Sequence, residues 1–261
     1  MIKDVAHVPE TAGAADWLTE RIAAFDGHVV LSVVPGGYEA YARIFHPAAP
    51  GGSFANLGPG QLPFSWAEVA KSRGRSAHRG MQWPSLVGTY LSGTDPRVKD
   101  HPGVEPDTGS LPLPVAKALM EVLRGHTTTP ENCWFAAWEG QGHPDDFVTN
   151  APAFELPARN YLLVGGPIEA VLESVVDPPA IVVEMGLPWP HYQSPSLWWP
   201  NDRAWCVATD IDLQSTYVGG SRKCIEGLLE EDRLETYEVQ SSDGVTWDDD
   251  DVNPKPDETY P

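Results

Sequence analysis

The feature that most limits what this chain can fold into is its punctuation: 24 glycines and 26 prolines fall among 261 residues, where roughly 12% of positions would be usual. Glycine admits positive φ, and proline fixes φ while removing a backbone donor. Apolar runs bounded by them stay short and are joined by shaped loops. Leu18, Ile22 and Phe25 stand at i, i+4 and i+7 and predict a helix over residues 14–25. Residues 28–34 are apolar, Pro35-Gly36-Gly37 is a turn signal and residues 38–46 alternate, which together predict a hairpin. Ser65 and Glu68 have capping-box spacing, so a helix starts at Trp66 and stops before Gly74. A further helix begins at Pro114, carries Val115, Leu119, Val122 and Leu123 on one stripe, and ends at Gly125.

In the second half, residues 133–138, 160–164, 204–211, 215–218 and 234–239 predict strands. Aligning Val164-Gly165-Gly166 with Val218-Gly219-Gly220 gives two strand, Gly-Gly, helix units, the pattern of an internal duplication. Strands punctuated by helices, with hairpins rather than regular alternation, predict an α+β fold: a largely antiparallel sheet, flanking helices and long Pro/Gly-rich loops. Residues 92–114 carry little periodicity and read as a long loop or a boundary between lobes. The expected division is an N-terminal α/β lobe over 1–126, a C-terminal α+β lobe over 127–240 and an acidic tail over 241–261. In that last stretch Asp243, Asp248, Asp249, Asp250, Asp251, Asp257 and Glu258 face Lys255 alone among three prolines, a composition that predicts disorder.

Seventeen Lys and Arg against 37 Asp and Glu leave a net charge of −20. Such a surface repels phosphate backbones, which argues against nucleic acid, and it attracts a basic protein partner. The same charge also serves solubility alone. No run approaches the ~20 apolar residues of a membrane helix, and the first residues lack the layout of a secretory signal, so cytoplasm is the expected compartment and no membrane association is expected. Cys133, Cys206 and Cys224 have no metal or redox spacing and read as small buried hydrophobes.

Three groups of residues are candidates for function. Between Leu187 and Trp205 the chain packs Trp189, His191, Tyr192, Trp198, Trp199 and Arg203 among prolines, the stiff aromatic surface that recognises a partner, or equally a lid folded onto the sheet. Gly219-Gly220-Ser221 with Arg222 opens a helix, where amides and dipole favour an anion, although glycine there also simply lets the chain turn. Asp210 and Asp212, two apart on a strand end, share a face and suit a divalent metal, or cap the turn. No cofactor is expected on the first two readings and a divalent metal on the third. Eight scattered histidines offer no paired ligand spacing.

The text from Trp198-Trp199-Pro200-Asn201-Asp202-Arg203-Ala204-Trp205 through Asp210, Asp212 and Ser215 to Ser221 resembles a C-terminal block of an uncharacterised actinobacterial protein family, over about 40 residues. More loosely the chain is similar to SUKH-type immunity proteins, which implies a cytosolic, acidic, α+β protein that neutralises a toxin by binding it. The leading expectation is therefore a non-enzymatic, immunity-like protein-binding chain. A metal-dependent enzyme using Asp210 and Asp212, or a small-anion binder at the Gly-Gly turns, is the alternative.

Overall fold

The computed structural model describes residues 13–23, 28–52, 54–58, 60–91, 95, 97–98, 102–141, 151–157, 159–173 and 192–256. Helices α1 (Asp16–Thr19), α2 (Trp66–Ser72), α3 (Trp83–Val87), α4 (Leu113–Arg124) and α5 (Arg222–Leu229) accompany ten strands. These are β1 (Ala40–Phe45), β2 (Ala48–Pro50), β3 (Val104–Pro106), β4 (Cys133–Trp138), β5 (Ala153–Leu156), β6 (Arg159–Gly166), β7 (Leu197–Pro200), β8 (Trp205–Ala208), β9 (Ser215–Gly220) and β10 (Thr236–Val239). Eight strands form one sheet in the order β10-β1-β9-β8-β7-β4-β6-β5, and β2 pairs with β3 in a small second sheet. Every described pairing is antiparallel. The α+β class read from the sequence is the one observed.

The sheet is covered on both sides, and the period of two in each strand sorts residues between them. Ala40, Ala42 and Ile44 of β1 join α4, α5 and the 3-10 turn Ile168–Glu173 in one core, together with Phe135, Trp198, Trp205, Val207 and Val218. Tyr41 of the same strand joins the opposite core with Trp17, Val30, Tyr161, Trp199, Cys206, Tyr217 and Val245. A third core under α2 and α3 holds Phe45, Trp66, Met81 and Trp83. The capping box of α2 is formed: Ser65 Oγ accepts from the Glu68 amide at 3.1 Å, and Glu68 Oε2 accepts from the Ser65 amide at 2.8 Å. Gly125 follows α4 as expected.

Three expectations are corrected. Residues 28–34 do not pair with 38–46. Residues Val30–Ser32 form a 3-10 turn, the amides of Val30 and Leu31 donate to the carbonyls of Asp243 and Ser241, and both edges of β1 are occupied by β9 and β10. Of the helix expected over 14–25, the described residues 14–23 hold only α1, followed by a turn at Arg21, and residues 24 and 25 lie outside the described ones. The two lobes do not separate, because β1 from the first third lies between β9 and β10 from the last fifth, so one sheet uses both. Both Gly-Gly pairs end strands, β6 and β9, and the segments that follow them pack with α4 on one face. The first is followed by a 3-10 turn and the second by an α-helix.

Candidate functional site

Residues 241–256, read as a disordered tail, are instead a strap laid along the molecule. Its acidic side chains are used as acceptors that shape it. Val29 bridges Gly244, and the Val245 amide donates to the His28 carbonyl at 3.0 Å. Asp249 Oδ2 accepts from the amide and hydroxyl of Thr246, both at 2.6 Å, which closes a turn. Asp250 is fully buried. It accepts from His78 Nε2 at 3.0 Å, the Gln82 amide at 3.2 Å and the Asn253 amide at 2.8 Å. Burial alone would raise its pKa, but donors from Asn253, Gln82 and Val252 outweigh that and hold it below the usual carboxylate range.

The charge of the strap also has a target. Arg43 is buried beneath it, bonded to Ser215 Oγ, Gln82 Oε1 and the carbonyls of Arg79 and Met81, and it stacks 4.3 Å from the Phe45 ring. No carboxylate touches this guanidinium among the described residues. Burial lowers its pKa, while Tyr217, Asp250, Asp249 and Glu235 act through space in the opposite direction. A stretch with little apolar surface is therefore held down by hydrogen bonds, which composition does not record.

Where the strap passes the turn after β8, the surface opens into a cleft of about 610 Å³ lined by His28, Tyr90, Thr108, Asp212, Leu213, Val245, Thr246, Trp247 and Asp248. That volume is within the range of small-molecule and side-chain pockets. Leu213 and Val245 form an apolar floor, buried at 8% and 4% exposure. Tyr90 donates to Asp248 Oδ1 at 2.6 Å, fixing that carboxylate on the rim. Asp212 is 66% exposed on the other side. The far wall depends on Gly109, whose amide donates to the Leu213 carbonyl at 2.9 Å. A Cβ there would lie 2.5 Å from the Ile211 carbonyl oxygen, and φ is +74°. Only glycine lets the two turns approach so closely.

The sequence-predicted site residues fare differently. Trp198 and Trp199, expected on a partner surface, are both 0% exposed. Neighbours in a strand point to opposite faces, and here both faces are covered, so each indole enters a different core. Trp189 and His191 lie outside the described residues. Tyr192 is half-buried, donates to the Val171 carbonyl at 3.1 Å and has its phenol pKa raised by burial. Of the described members of that group, Arg203 alone is exposed. It adopts the left-handed backbone at φ +55°, and its guanidinium lies 5.3 Å from the Trp17 ring.

Asp210 and Asp212, offered as metal ligands, are brought together by a cation of the chain itself. Arg159 donates to Asp210 at 3.1 and 2.9 Å and to Asp212 Oδ2 at 2.7 Å. Asp210 Oδ1 also accepts from the Asp212 amide. Burial raises the Asp210 pKa, partly offset by that amide and by Arg159. Among the described residues no group of three His, Cys, Asp or Glu side chains is arranged to hold a metal ion.

The anion site proposed at α5 is likewise filled from within. The Arg222 amide donates to Glu39 Oε2 at 2.8 Å, the Arg222 guanidinium pairs with Glu238, and Ser221 Oγ caps the Cys224 amide at 3.2 Å. Gly219 and Gly220 are buried in β9. A Cβ on Gly219 would meet the Tyr38 ring at 2.4 Å and one on Gly220 the Cys224 sulfur at 3.2 Å. These glycines serve packing. All three cysteines are free and buried, and burial pushes the thiols of Cys133 and Cys224 up to about 12. His46 is buried between the Asp107 carbonyl and Thr216 Oγ1, at 2.7 and 2.9 Å, and burial depresses its pKa to about 4.

The cleft escaped sequence reasoning because its walls come from residues 28, 90, 108, 212 and 245–248, far apart in the chain. The one local signal was Trp247 amid aspartates, a large ring that a truly unstructured acidic segment has little reason to carry. Comparison with protein-family models, curated proteins and solved structures finds no match for this chain.

Proposed function

We propose that this chain is a non-catalytic binding protein whose cleft receives a basic side chain of a protein partner. One observation carries the reading: Asp212 and Asp248 stand on the rim of a cleft walled by Tyr90, Trp247 and His28 over an apolar floor. A lysine or arginine has an alkyl stem for such a floor, a charge for the carboxylates and a cation for the aromatic faces. The net charge of −20 supports it by steering a basic partner to the surface. The looser similarity to immunity proteins agrees with this class, in which the partner would be a toxin to neutralise.

Calorimetric titration of the intact chain with an octa-arginine peptide tests the reading, with octa-glutamate as control. Saturable binding is expected that weakens roughly tenfold in Trp247→Ala and several-fold in Asp212→Asn and Asp248→Asn, and that falls with added salt. Binding that is absent, or unchanged in all three variants, would reject the cleft as the docking point.

A further inference from the structure

In a chain where acids outnumber bases more than twofold, most exposed arginines have found a carboxylate. Arg79, Arg97, Arg124, Arg222 and Arg233 each hold one, as does the half-buried Arg159. Among the described residues Arg21 and Arg203 do not. Both are exposed, they are 182 positions apart in the chain, and each lies against the same indole: their guanidinium carbons are 5.7 and 5.3 Å from the centroid of Trp17. Tyr38 lies beside both cations and donates from its hydroxyl to the Arg203 carbonyl at 3.2 Å.

The pair is held rather than incidental. The Arg203 amide donates to the Pro200 carbonyl at 2.8 Å, and the next amide, of Ala204, donates to Asp202 Oδ1. Asp202 is anchored in turn by Thr127 and Thr128 at 2.7 to 2.9 Å. Arg203 thereby keeps a positive φ that arginine rarely adopts. On the other side the Gly36 amide donates to the Arg21 carbonyl at 2.8 Å. Beneath both cations Trp17 is 5% exposed, and its Nε1–H, buried with the ring, has no acceptor among the described residues. Two guanidinium groups thus lie against one buried ring, and neither holds a carboxylate of the described residues.

We propose that Arg21 and Arg203, each lying against Trp17, bind the phosphoryl group of a phosphate monoester or of free phosphate. Two guanidinium forks carry two charges and match an oxyanion that bears close to two charges and three acceptor oxygens. A lone carboxylate is the weaker fit, since none of the many among the described residues is drawn in. The overall negative charge does not forbid the site, because its field is screened beyond about 8 Å at physiological ionic strength while the forks act in contact. The site lies apart from the cleft and is independent of the basic partner.

Titration of the intact chain with inorganic phosphate and with phenyl phosphate, followed by 31P resonance shift and calorimetry, tests the assignment. One saturable site is expected, weakened at least tenfold by Arg21→Gln and by Arg203→Gly, the latter chosen because glycine accepts the left-handed backbone. Unchanged melting temperatures would show that the fold survives. Arg21→Lys should bind more weakly than the parent, since it keeps the charge but loses the fork. Tighter binding of phenyl phosphate assigns the group to an esterified ligand, and equal binding assigns it to phosphate alone. No saturation by either probe, affinity unaltered in both variants, or acetate binding as tightly as phosphate would overturn the proposal.

Discussion

The two faces of the large sheet are built by different means. One is closed by α4, α5 and the turn Ile168–Glu173, regular elements with apolar stripes. The other is closed by α1, the 30–34 turn and the strap, segments with little regular structure pinned by hydrogen bonds. Both candidate sites, the cleft and the arginine pair, adjoin the second face: Leu213 and Val245, or Trp17 and Tyr38, belong to its core. A helical layer leaves little room for irregular walls, whereas loops on a rigid sheet bring distant side chains together without disturbing the scaffold.

The largest effects test whether the loop-covered face is as solid as the helical one. Trp198 and Trp199 are adjacent, equally buried and on opposite faces. Truncation of either to alanine should cost about 3–5 kcal/mol by denaturant unfolding. A cost for Trp199→Ala below about 1 kcal/mol, with a normal cost for Trp198→Ala, would mean that the strap side is a loose cover. Trp199 would then return as a candidate contact for a partner.

The same contrast explains how much could be read in advance. The capping box at Ser65 and Glu68, the stripe on α4 with its Gly125 stop and the strand at Cys133–Trp138 were legible because each is local: spacing alone specifies them. The arrangement of β1 between β9 and β10 was not, since alternation in 40–45 says which residues share a face and nothing about which strands adjoin it. The acids of the strap were misread for a related reason. Asp249 and Asp250 count as repulsion in composition but in space accept six hydrogen bonds from Thr246, His78, Gln82 and Asn253. For the site residues, Asp210 with Asp212 were rightly seen as a pair, and only the structure supplied Arg159 as the cation between them.

A smaller effect, in pH dependence, lies at the end of β1. The unfolded chain holds a proton on His46 between about pH 4 and 6.5 that the native state does not, because burial depresses the native pKa to about 4. Stability from this group therefore rises with pH across that window. Asp107, whose carbonyl His46 contacts, behaves oppositely: burial pushes its carboxyl up to about 7. The native state holds the extra proton there, so its contribution falls from pH 4 to 7. Each term is on the order of 3 kcal/mol and the two slopes largely cancel. Asp107→Asn removes the falling term, so the variant should gain stability from pH 4 to 6.5 by about 2–3 kcal/mol more than the parent. Parallel pH profiles of the two proteins in urea unfolding would show that these groups do not oppose each other.

The smallest effect bears most directly on what closes the loop-covered face. If acidic side chains shape the strap, removing one acceptor should loosen it locally and leave the sheet intact. Asp249 is the choice because it is exposed yet closes the turn to the Thr246 amide and hydroxyl. Asp249→Ala should cost about 1 kcal/mol, the usual worth of such a capping bond. Hydrogen exchange should accelerate at the amides of Thr246 and its neighbours while protection in β1 and β9 stays unchanged. The cleft wall at Trp247 and Asp248 lies inside that turn, so the octa-arginine affinity should drop with it. If exchange across 244–250 is already fast in the parent and the variant does not change it, the strap is held by something other than its own carboxylates. The irregular face would then owe its order to Val245 and Trp247 packing alone.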